Sequence, residues 1–489
     1  MVKMKNKFQR ICNGALFAAA GLALGACTLE PDYVVPETPL DAQAEKMENF
    51  KYAEGLWTDA NPSDAQLKGK WWQMFNDAKL SELIEACREK NPNLKSAFYA
   101  VEQARQKARM TESELYPWLN GNVSYSKTDT SENEFSYRGA YEDYRIGLGL
   151  TWDLDFFGRV QALLASEVAD AQALRAAYEN TMLMLEANVA SVYFSIRQYN
   201  SEILLLEETV NVRQKQVDLV TNRAKAKYAH EADVKRAEQQ FYEAVTQLAS
   251  VKKLRDAATN QLAYLTGTIP ANLQATTEPI AEVLPKIPSI IPSQLLERRP
   301  DIAQAERGVF SANMKIGAAK SAFFPTIQIT SSLDLASQDI GDLLEGNSLA
   351  WGVSPRLYLP LFQAGKLYAQ YQVALSQHLE ASEKYKATVL NAIYEVENAL
   401  SEIKNLKDEY EARAKNAAAA KAVEELTRNQ FDSGVIDYFE YTDAERLALN
   451  SERERIRLRG EQFRSVVSLV LAIGGGVDEE KEGEKTAVN

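Results

Sequence analysis

Two long stretches of this chain lack the residues that most disfavour a helix interior. Residues 159–266 contain neither glycine nor proline, and neither do residues 366–433. Because glycine and proline interrupt helices, their absence over so many positions favours long continuous helices. A helix from 159 to 228 would be roughly 105 Å long at 1.5 Å per residue. Such an element indicates a protein that bridges a distance.

The apolar residues of the first stretch recur at steps of three and four. These positions are Met182, Leu185, Val189, Val192, Ile196, Tyr199, Ile203, Leu206, Val210, Arg213, Val217 and Val220, all apolar except Arg213. This 3.5-residue period is typical of a left-handed coiled coil. A second apolar face predicts neighbouring helices on two sides, as in a wall of helices. Polar residues 222–233 predict a hairpin tip, and a shorter helix then returns to Gly267.

The chain repeats itself after about 200 residues. Pro92 and Pro117 match Pro300 and Pro325 at the same spacing, and "DFFGR" at 155–159 parallels "LFQAGK" at 361–366. Matched breakers at matched positions indicate a duplicated unit. Each copy contains two segments of alternating apolar and small or polar residues. They lie at 119–127, 142–152, 325–335 and 349–360.

These four segments predict strands long enough to cross an outer membrane when tilted. Aromatic residues cluster near their ends, as at a membrane interface. Four strands cannot close a barrel, and an open edge in lipid leaves backbone groups unpaired. The chain must therefore oligomerise, and three copies would supply twelve strands.

The first residues are typical of a targeting segment. A basic start is followed by an apolar stretch too short to anchor a chain permanently, and this ends in "LGAC" at 24–27. The pattern resembles a bacterial lipoprotein signal, which predicts removal of residues 1–26 and lipidation of Cys27. The alternative is a plain secretory signal with an incidental cysteine. We expect Cys87 to pack in a core.

Charge and motif content argue against several classes of function. The formal net charge of −13 disfavours nucleic-acid binding, which needs a basic face. The two histidines, His230 and His378, lie in no nucleophile or metal motif, so we expect no enzyme, no metal site and no cofactor other than the lipid on Cys27. Eight methionines, several of them in the signal or in helix cores, argue mildly against a dedicated copper or silver route.

Four motifs resemble those of a known family. They are "CTLEPDYVVPETP" at 27–39, "WWQMFNDAKLSELIEACREKNPNL" at 71–94, "LLERRPDIAQAE" at 295–306 and "YLPLFQAGK" at 358–366. Together they resemble the TolC-like outer-membrane efflux ducts, in the lipoprotein branch that serves resistance-nodulation-division pumps. The resemblance covers nearly all of the chain after residue 26.

The resemblance implies a mixed α and β membrane protein with an internal two-fold repeat. In the homotrimer a twelve-stranded outer-membrane β-barrel would be continuous with a long periplasmic α-helical coiled-coil barrel. The expected parts are the signal peptide 1–26, a lipid-anchored arm and equatorial segment 27–75, a first duct repeat 76–267, a Pro-rich linker 268–292, a second repeat 293–474 and a flexible tail 475–489.

The implied function is passive export of small molecules across the outer membrane. An inner-membrane pump of the resistance-nodulation-division class and a periplasmic adaptor (membrane fusion) protein would deliver the substrate. Residues 431–449 resemble the family's tip motif, with Phe431, Gly434 and Asp437 in place, and Glu440 and Asp443 fall on positions that form acidic rings. Three copies of each would form a cation-selective constriction. The alternative is ordinary solvated carboxylates.

The first copy departs from this tip motif. Its tip is expected to be shorter and lacks the glycine, and Asp233 and Arg236 parallel Glu440 and Asp443. Two other functions remain open from the sequence. One is a type I protein-secretion duct, and the other is a secreted coiled-coil structural lipoprotein, which would explain the helices but not the strand pairs or the repeat.

Overall fold

The computed structural model describes residues 29, 31–37, 57–58, 69–133, 135, 139–285, 287–288 and 299–475. The predicted signal peptide, Cys27 and residues 476–489 of the predicted tail lie outside these residues. The chain forms two compact units. The described residues of the first lie within 29–36, 99–175 and 304–385, and those of the second lie within 37–98, 176–303 and 386–475.

The described residues form seven α-helices, and six of these make three pairs of equal length. They are α1 (Ala78–Lys90), α2 (Pro92–Ser113), α3 (Arg159–Lys225), α4 (Glu231–Leu265), α5 (Pro300–Ser321), α6 (Lys366–Asp432) and α7 (Tyr438–Ala472). Helices α3 and α6 each have 67 residues, α4 and α7 each have 35, and α2 and α5 each have 22. The repeat seen in the sequence is therefore repeated in element lengths. No described helix combines the length and apolar character needed to cross a membrane.

The first unit contains a four-stranded antiparallel sheet. Its strands are β1 (Trp118–Asp129), β2 (Ala140–Leu154), β3 (Thr326–Ser337) and β4 (Leu349–Tyr358), paired in the order β1-β2-β3-β4. The sheet thus joins one strand pair from each repeat. Within the described residues, the outer edges of β1 and β4 have no strand partner.

The register gives the sheet one apolar face and one polar face. Leu148 lies opposite Leu333, whereas the next pair is Gly147 opposite Asp334. Because side chains alternate along a strand, the apolar pairs share one face and the polar pairs share the other. A Cβ at Gly147 would overlap the Asp334 carboxylate, so glycine at this position leaves room for the acidic side chain.

Two tryptophans tie the strand ends to the end of α2. Trp118 Nε1 donates to the Ser113 carbonyl at 3.3 Å, and Trp152 Nε1 donates to the Leu115 carbonyl at 3.0 Å. These carbonyls lie at or beyond the C-terminus of α2, where backbone acceptors have no partner within the helix. The indoles therefore position the strand pair on the helix end.

The described part of the arm is also bound within the first unit. Tyr33 donates a hydrogen bond to Glu306 Oε1 at 2.9 Å, and its ring packs edge-on against Phe310 at 4.9 Å. Asn313 Nδ2 donates to the Pro31 carbonyl at 3.0 Å. All three partners lie on α5. This helix therefore holds the part of the arm that follows Cys27 in the sequence.

The core of the second unit is aromatic. Trp72 and Phe194 are fully buried, and Phe194 packs against Phe463 with ring centroids 4.8 Å apart. Trp71 donates to the buried Glu186 at 2.9 Å, and Arg88 pairs with the same carboxylate at 2.7 Å. The 3-10 turn at 71–75 is therefore bound to α3 through Trp71, and α1 is bound to the same carboxylate through Arg88. Cys87 is buried in this core, as expected.

The duplication is also visible as a repeated contact. Asn91 precedes Pro92 and its Nδ2 donates to the Leu265 carbonyl at 2.7 Å, at the end of α4. Arg299 precedes Pro300 and its Nη1 donates to the Ala472 carbonyl at 2.7 Å, at the end of α7. In each repeat, the residue before the proline thus satisfies a C-terminal carbonyl of the returning helix.

Candidate functional site at the hairpin tips

The two long hairpins turn in the same way. Helix α3 ends at Lys225 and α4 begins at Glu231, whereas α6 ends at Asp432 and α7 begins at Tyr438. The turns therefore have equal length, and the expectation of a shorter first turn was wrong. The predicted glycine position, Gly434, has a φ of 73°, and Lys227 takes the same place in the first turn with a φ of 63°. A lysine supplies a left-handed conformation usually left to glycine.

Aromatic side chains pack the two tips together. Phe431 stacks on Tyr441 with ring centroids 5.4 Å apart, and it also contacts Tyr438 at 5.6 Å. The Arg223 guanidinium of the first hairpin lies 5.1 Å from the centre of the Phe431 ring, a cation–π contact. The aromatic residue of the predicted tip motif thus lies in a small core shared by both hairpins.

The predicted acidic residues lie on the first turns of α7. Asp437 caps this helix, and its carboxylate accepts from the Glu440 backbone N–H at 2.9 Å. Glu440 is exposed, and Asp443 is half-exposed and bonded to Arg446 at 2.7 Å. The structure therefore places both carboxylates close together on one helix, but the Asp443 charge is partly neutralised by its own neighbour. Their role in a constriction stays a prediction.

The first hairpin contributes a cation to the second. Asp233 accepts from the backbone N–H of His230 at 3.2 Å and pairs with Arg236 at 3.3 Å. The Arg236 guanidinium lies 5.8 Å from the centre of the Phe439 ring, beside Glu440 in the sequence. Where the second hairpin has two acids, the first therefore has an ion pair whose cation faces the second tip.

A buried polar cluster next to the tip was missed by the sequence analysis. Arg213 is 2% exposed, and its Nη1 donates to the Gln240 carbonyl of α4 at 2.7 Å. Glu445 on α7 is 8% exposed, with Oε1 4.0 Å from Arg213 Nε. Gln216 Nε2 donates to Tyr441 at 2.8 Å and to Glu445 at 3.3 Å. The one polar residue in the apolar series, Arg213, was the available signal.

This cluster is incompletely satisfied. Among the described residues, Arg213 Nε, Glu445 Oε2 and the Tyr438 hydroxyl are buried without a hydrogen-bond partner. Burial raises the pKa of the Glu445 carboxyl, and the Arg213 charge and the Gln216 hydrogen bond offset only part of that rise. Burial, with Glu445 nearby, also raises the pKa of Tyr438 to about 12. Unpaired buried polar atoms are costly, so these helices are joined here by a weak contact.

A groove separates the two turns. Its volume is about 650 Å³, and it is lined by residues of both hairpins, among them Arg223, Lys227, His230, Asp233 and Ile436. Tyr228 and Val435 stand exposed at the two turns. The groove offers both charge and apolar surface. Throughout the described chain, no group of three or more His, Cys, Asp or Glu could hold a metal ion.

The sequence model of the outer membrane efflux protein family matches this chain twice, over residues 83–268 and 291–475. The chain is 29% identical to the cation efflux system protein CusC of Escherichia coli strain K12, over 93% of this chain and 97% of CusC. It is 30% identical to the solvent efflux pump outer membrane protein SrpC of Pseudomonas putida, over 93% of this chain and 96% of SrpC.

A solved structure is similar over almost the whole chain. It is the open state of the MtrE outer membrane channel of Neisseria gonorrhoeae, with a TM-score of 0.81 and 27% identity. The similarity covers 94% of this chain and 100% of that one. The double match to one family model and this structural similarity both extend over the two hairpins whose tips are described above.

Proposed function

Because this chain belongs to the outer membrane efflux protein family, we propose that its hairpin tips receive substrate from a periplasmic adaptor protein and an inner-membrane pump of the resistance-nodulation-division class. The observation that carries the proposal is the groove at the tips, which is lined by both repeats and presents charged and apolar groups. No catalytic step is part of this function.

Family membership confirms several predictions from the sequence. The chain is an outer-membrane efflux channel with the family's fold class, a trimeric β-barrel and α-helical barrel built from an internal repeat. Its location is the outer membrane, with the helical part in the periplasm. The alternative of a coiled-coil structural lipoprotein is set aside, because that class has no paired sheet and no such relatives.

The trimer follows from the edges of the sheet. Each chain supplies four strands and leaves β1 and β4 without an outer partner in the described residues. In lipid such edges must be paired, and the pairing of β1 of one copy with β4 of the next would close a barrel of twelve strands. The apolar face of the sheet would then face lipid and the polar face the lumen.

The acidic residues of the tip would give the proposed channel a preference for cations. Three copies of Glu440 and Asp443 around one axis would place like charges close together, which favours cations over anions. The pairing of Asp443 with Arg446 reduces the charge that Asp443 presents. Glu440, which is exposed, is therefore the larger contributor to the proposed constriction.

The lipid anchor is the remaining part of the proposal. The fatty acid would be carried by Cys27, and the arm after it is held on α5 through Tyr33. A radiolabelled fatty acid should enter the wild-type chain but not a Cys27→Ser variant, and equal labelling of both would refute the assignment.

The adaptor proposal can be tested by photo-crosslinking in cells that carry the neighbouring pump genes. A photoreactive residue at Tyr228 or Val435, which are both exposed at the turns, should crosslink to the adaptor. A photoreactive residue at Phe135, between β1 and β2, is the control and should capture no adaptor. Absence of an adaptor at both tip positions would contradict the proposal.

The same experiment separates the two kinds of duct. If the captured adaptor belongs with a protein-exporting pump, the chain is a type I secretion duct instead. The relatives' names mention cations in one case and a solvent in another, although their sequences are about equally similar to this one. We therefore propose a broad range of small molecules as cargo, with selection exerted mainly by the pump.

A further inference from the structure

Residues 276–282, which we call the strap, lie against helices of both repeats. The strap follows the 3-10 turn Pro270–Asn272 and is the described part of the predicted linker that approaches the second repeat. One of its residues, Ile280, is buried in the aromatic core of the second unit. The strap and the helical residues that bind it all belong to that unit.

One end of the strap is bound to α3. Asn200, which is 5% exposed, donates from Nδ2 to the carbonyls of Thr276 and Glu278 at 2.9 and 3.1 Å. Two further contacts are the Ile280 N–H to Ser201 Oγ at 2.9 Å and Arg197 Nε to the Pro279 carbonyl at 2.9 Å. These bonds use the strap's backbone, so they fix the path of the chain on the first repeat.

The other end is bound to the second repeat. Glu282 Oε2 lies 3.4 Å from guanidinium nitrogens of Arg455 and Arg459 on α7 and 3.4 Å from the Tyr410 hydroxyl on α6. Arg455 donates to the same hydroxyl at 2.9 Å, and the Arg459 guanidinium lies 4.1 Å from the Tyr410 ring centre. One carboxylate therefore joins both helices of the second hairpin.

We propose that the strap is a crosspiece that reinforces the direct packing of α3 on α7, where Phe194 contacts Phe463, and that Asn200 and Glu282 are positioning residues that limit the opening of the tips. About 25 residues of α3, or roughly 37 Å, separate Asn200 from the end of that helix. A restraint at the strap therefore limits how far the tips can separate. This inference rests on the proposed function and adds to it that the tips separate when substrate enters the duct.

The strap restrains the helices without locking them. Glu282 is 63% exposed at its side chain, and ion pairs of exposed groups are individually weak. The α3 end is stronger, because the Asn200 amide and the Ile280 side chain are buried. A restraint of this kind allows the hairpins to move but limits how far they separate.

The test measures the distance between the two repeats near the tips. Spin labels at Lys215 on α3 and Asn450 on α7, both exposed, report this distance by pulsed electron paramagnetic resonance on the assembled protein. Asn200→Ala removes two of the hydrogen bonds that hold the first end of the strap, and Glu282→Lys repels the second end from Arg455 and Arg459. Each variant should give a broader distance distribution with a longer mean.

The double variant distinguishes a crosspiece from two local contacts. A strap weakened at one end transmits less force from the other, so the double variant should change the distance by less than the sum of the two single changes, whereas independent contacts give additive effects. Glu207→Lys is the matched control. It reverses a half-exposed charge that pairs with Lys252 at 2.8 Å but joins only α3 and α4 of one repeat, so its distribution should equal that of the wild type.

Additive changes, unchanged distributions or an equal change in the control would each overturn the proposal. Ser201→Ala replaces Asn200→Ala if the latter does not assemble, because it removes the acceptor for the Ile280 N–H. Thermal unfolding of every variant separates a lowered stability from an altered spacing. The adaptor crosslink is measured in a separate experiment. Its absence would contradict the adaptor proposal but not the proposal about the strap.

Discussion

At the scale of single residues, we expect Glu445 to make the packing of the tip depend on pH. Its pKa is raised by burial, so the folded tip binds the proton more tightly than the unfolded chain does. The packed tip should therefore gain stability as the pH falls through this raised pKa and lose it as the pH rises. Glu445→Gln, which stays neutral, should weaken this dependence. Hydrogen exchange of peptides covering 438–449 would measure it, corrected for the intrinsic effect of pH.

Glu425→Gln is the control for this experiment, since Glu425 is an exposed carboxyl on α6 of the same hairpin and lies outside the proposed constriction. We expect it to leave the pH dependence of tip exchange unchanged. If Glu445→Gln retains the full wild-type dependence, the titrating group is another one.

Arg213 gives a second prediction at this scale. Removal of one partner of a buried ion pair costs about 3–5 kcal/mol, because the other charge is left alone in the interior. Glu445 can avoid this by taking up a proton, so Arg213→Met should lower the melting temperature more at mildly alkaline than at mildly acidic pH. Adding Glu445→Gln should recover most of the alkaline loss. An equal loss at both pH values would show that Arg213 acts through packing alone.

At the scale of elements, the two turns allow an exchange experiment. In both, the residue in the left-handed conformation donates its N–H to the carbonyl three residues back, to Ala224 for Lys227 and to Phe431 for Gly434. The conformation disfavours residues with a Cβ by roughly 1–2 kcal/mol. Lys227→Gly should therefore stabilise the first tip and Gly434→Lys destabilise the second, each by about 1 kcal/mol. Opposite signs in hydrogen-exchange protection of the two tips would confirm this.

Most elements could be predicted from the sequence because their ends are marked. Gly158 precedes the start of α3, and Thr266–Gly267 follows the end of α4 at Leu265, where a Cβ on the glycine would approach the Lys90 carbonyl to 2.7 Å. The four strands lie where alternation placed them, within a few residues at each end. These signals are local, so one sequence is sufficient to read them.

The parts of the site that the sequence did not predict depend on contacts across the chain. The first turn looked shorter because nothing in a lysine indicates a left-handed backbone. Arg213 was only an exception in an apolar series, since its partner Glu445 lies on a helix of the other repeat. The strap had only the composition of a linker, because carbonyls bound by Asn200 leave no pattern in sequence.

At the scale of the whole molecule, the proposed constriction exists only when three chains meet. Glu440 and Asp443 are ordinary carboxyls in one chain, and their effect on ions comes from the crowding of copies around an axis. The structure adds that Asp443 already has a counter-charge in Arg446 at 2.7 Å. The two acids should therefore differ in effect, which their spacing in the sequence did not suggest.

This difference can be measured as the cation preference of single channels in planar bilayers. Glu440→Gln should reduce the preference strongly and Asp443→Asn weakly, because a paired carboxylate contributes less field to the axis. Arg446→Gln should raise it, since it removes three positive charges and releases three Asp443 carboxylates. Salt should diminish all these effects, because exposed charges are screened. If Arg446→Gln instead lowers the preference or leaves it unchanged, Asp443 does not face the conduction path, and Glu440 would have to form the constriction alone.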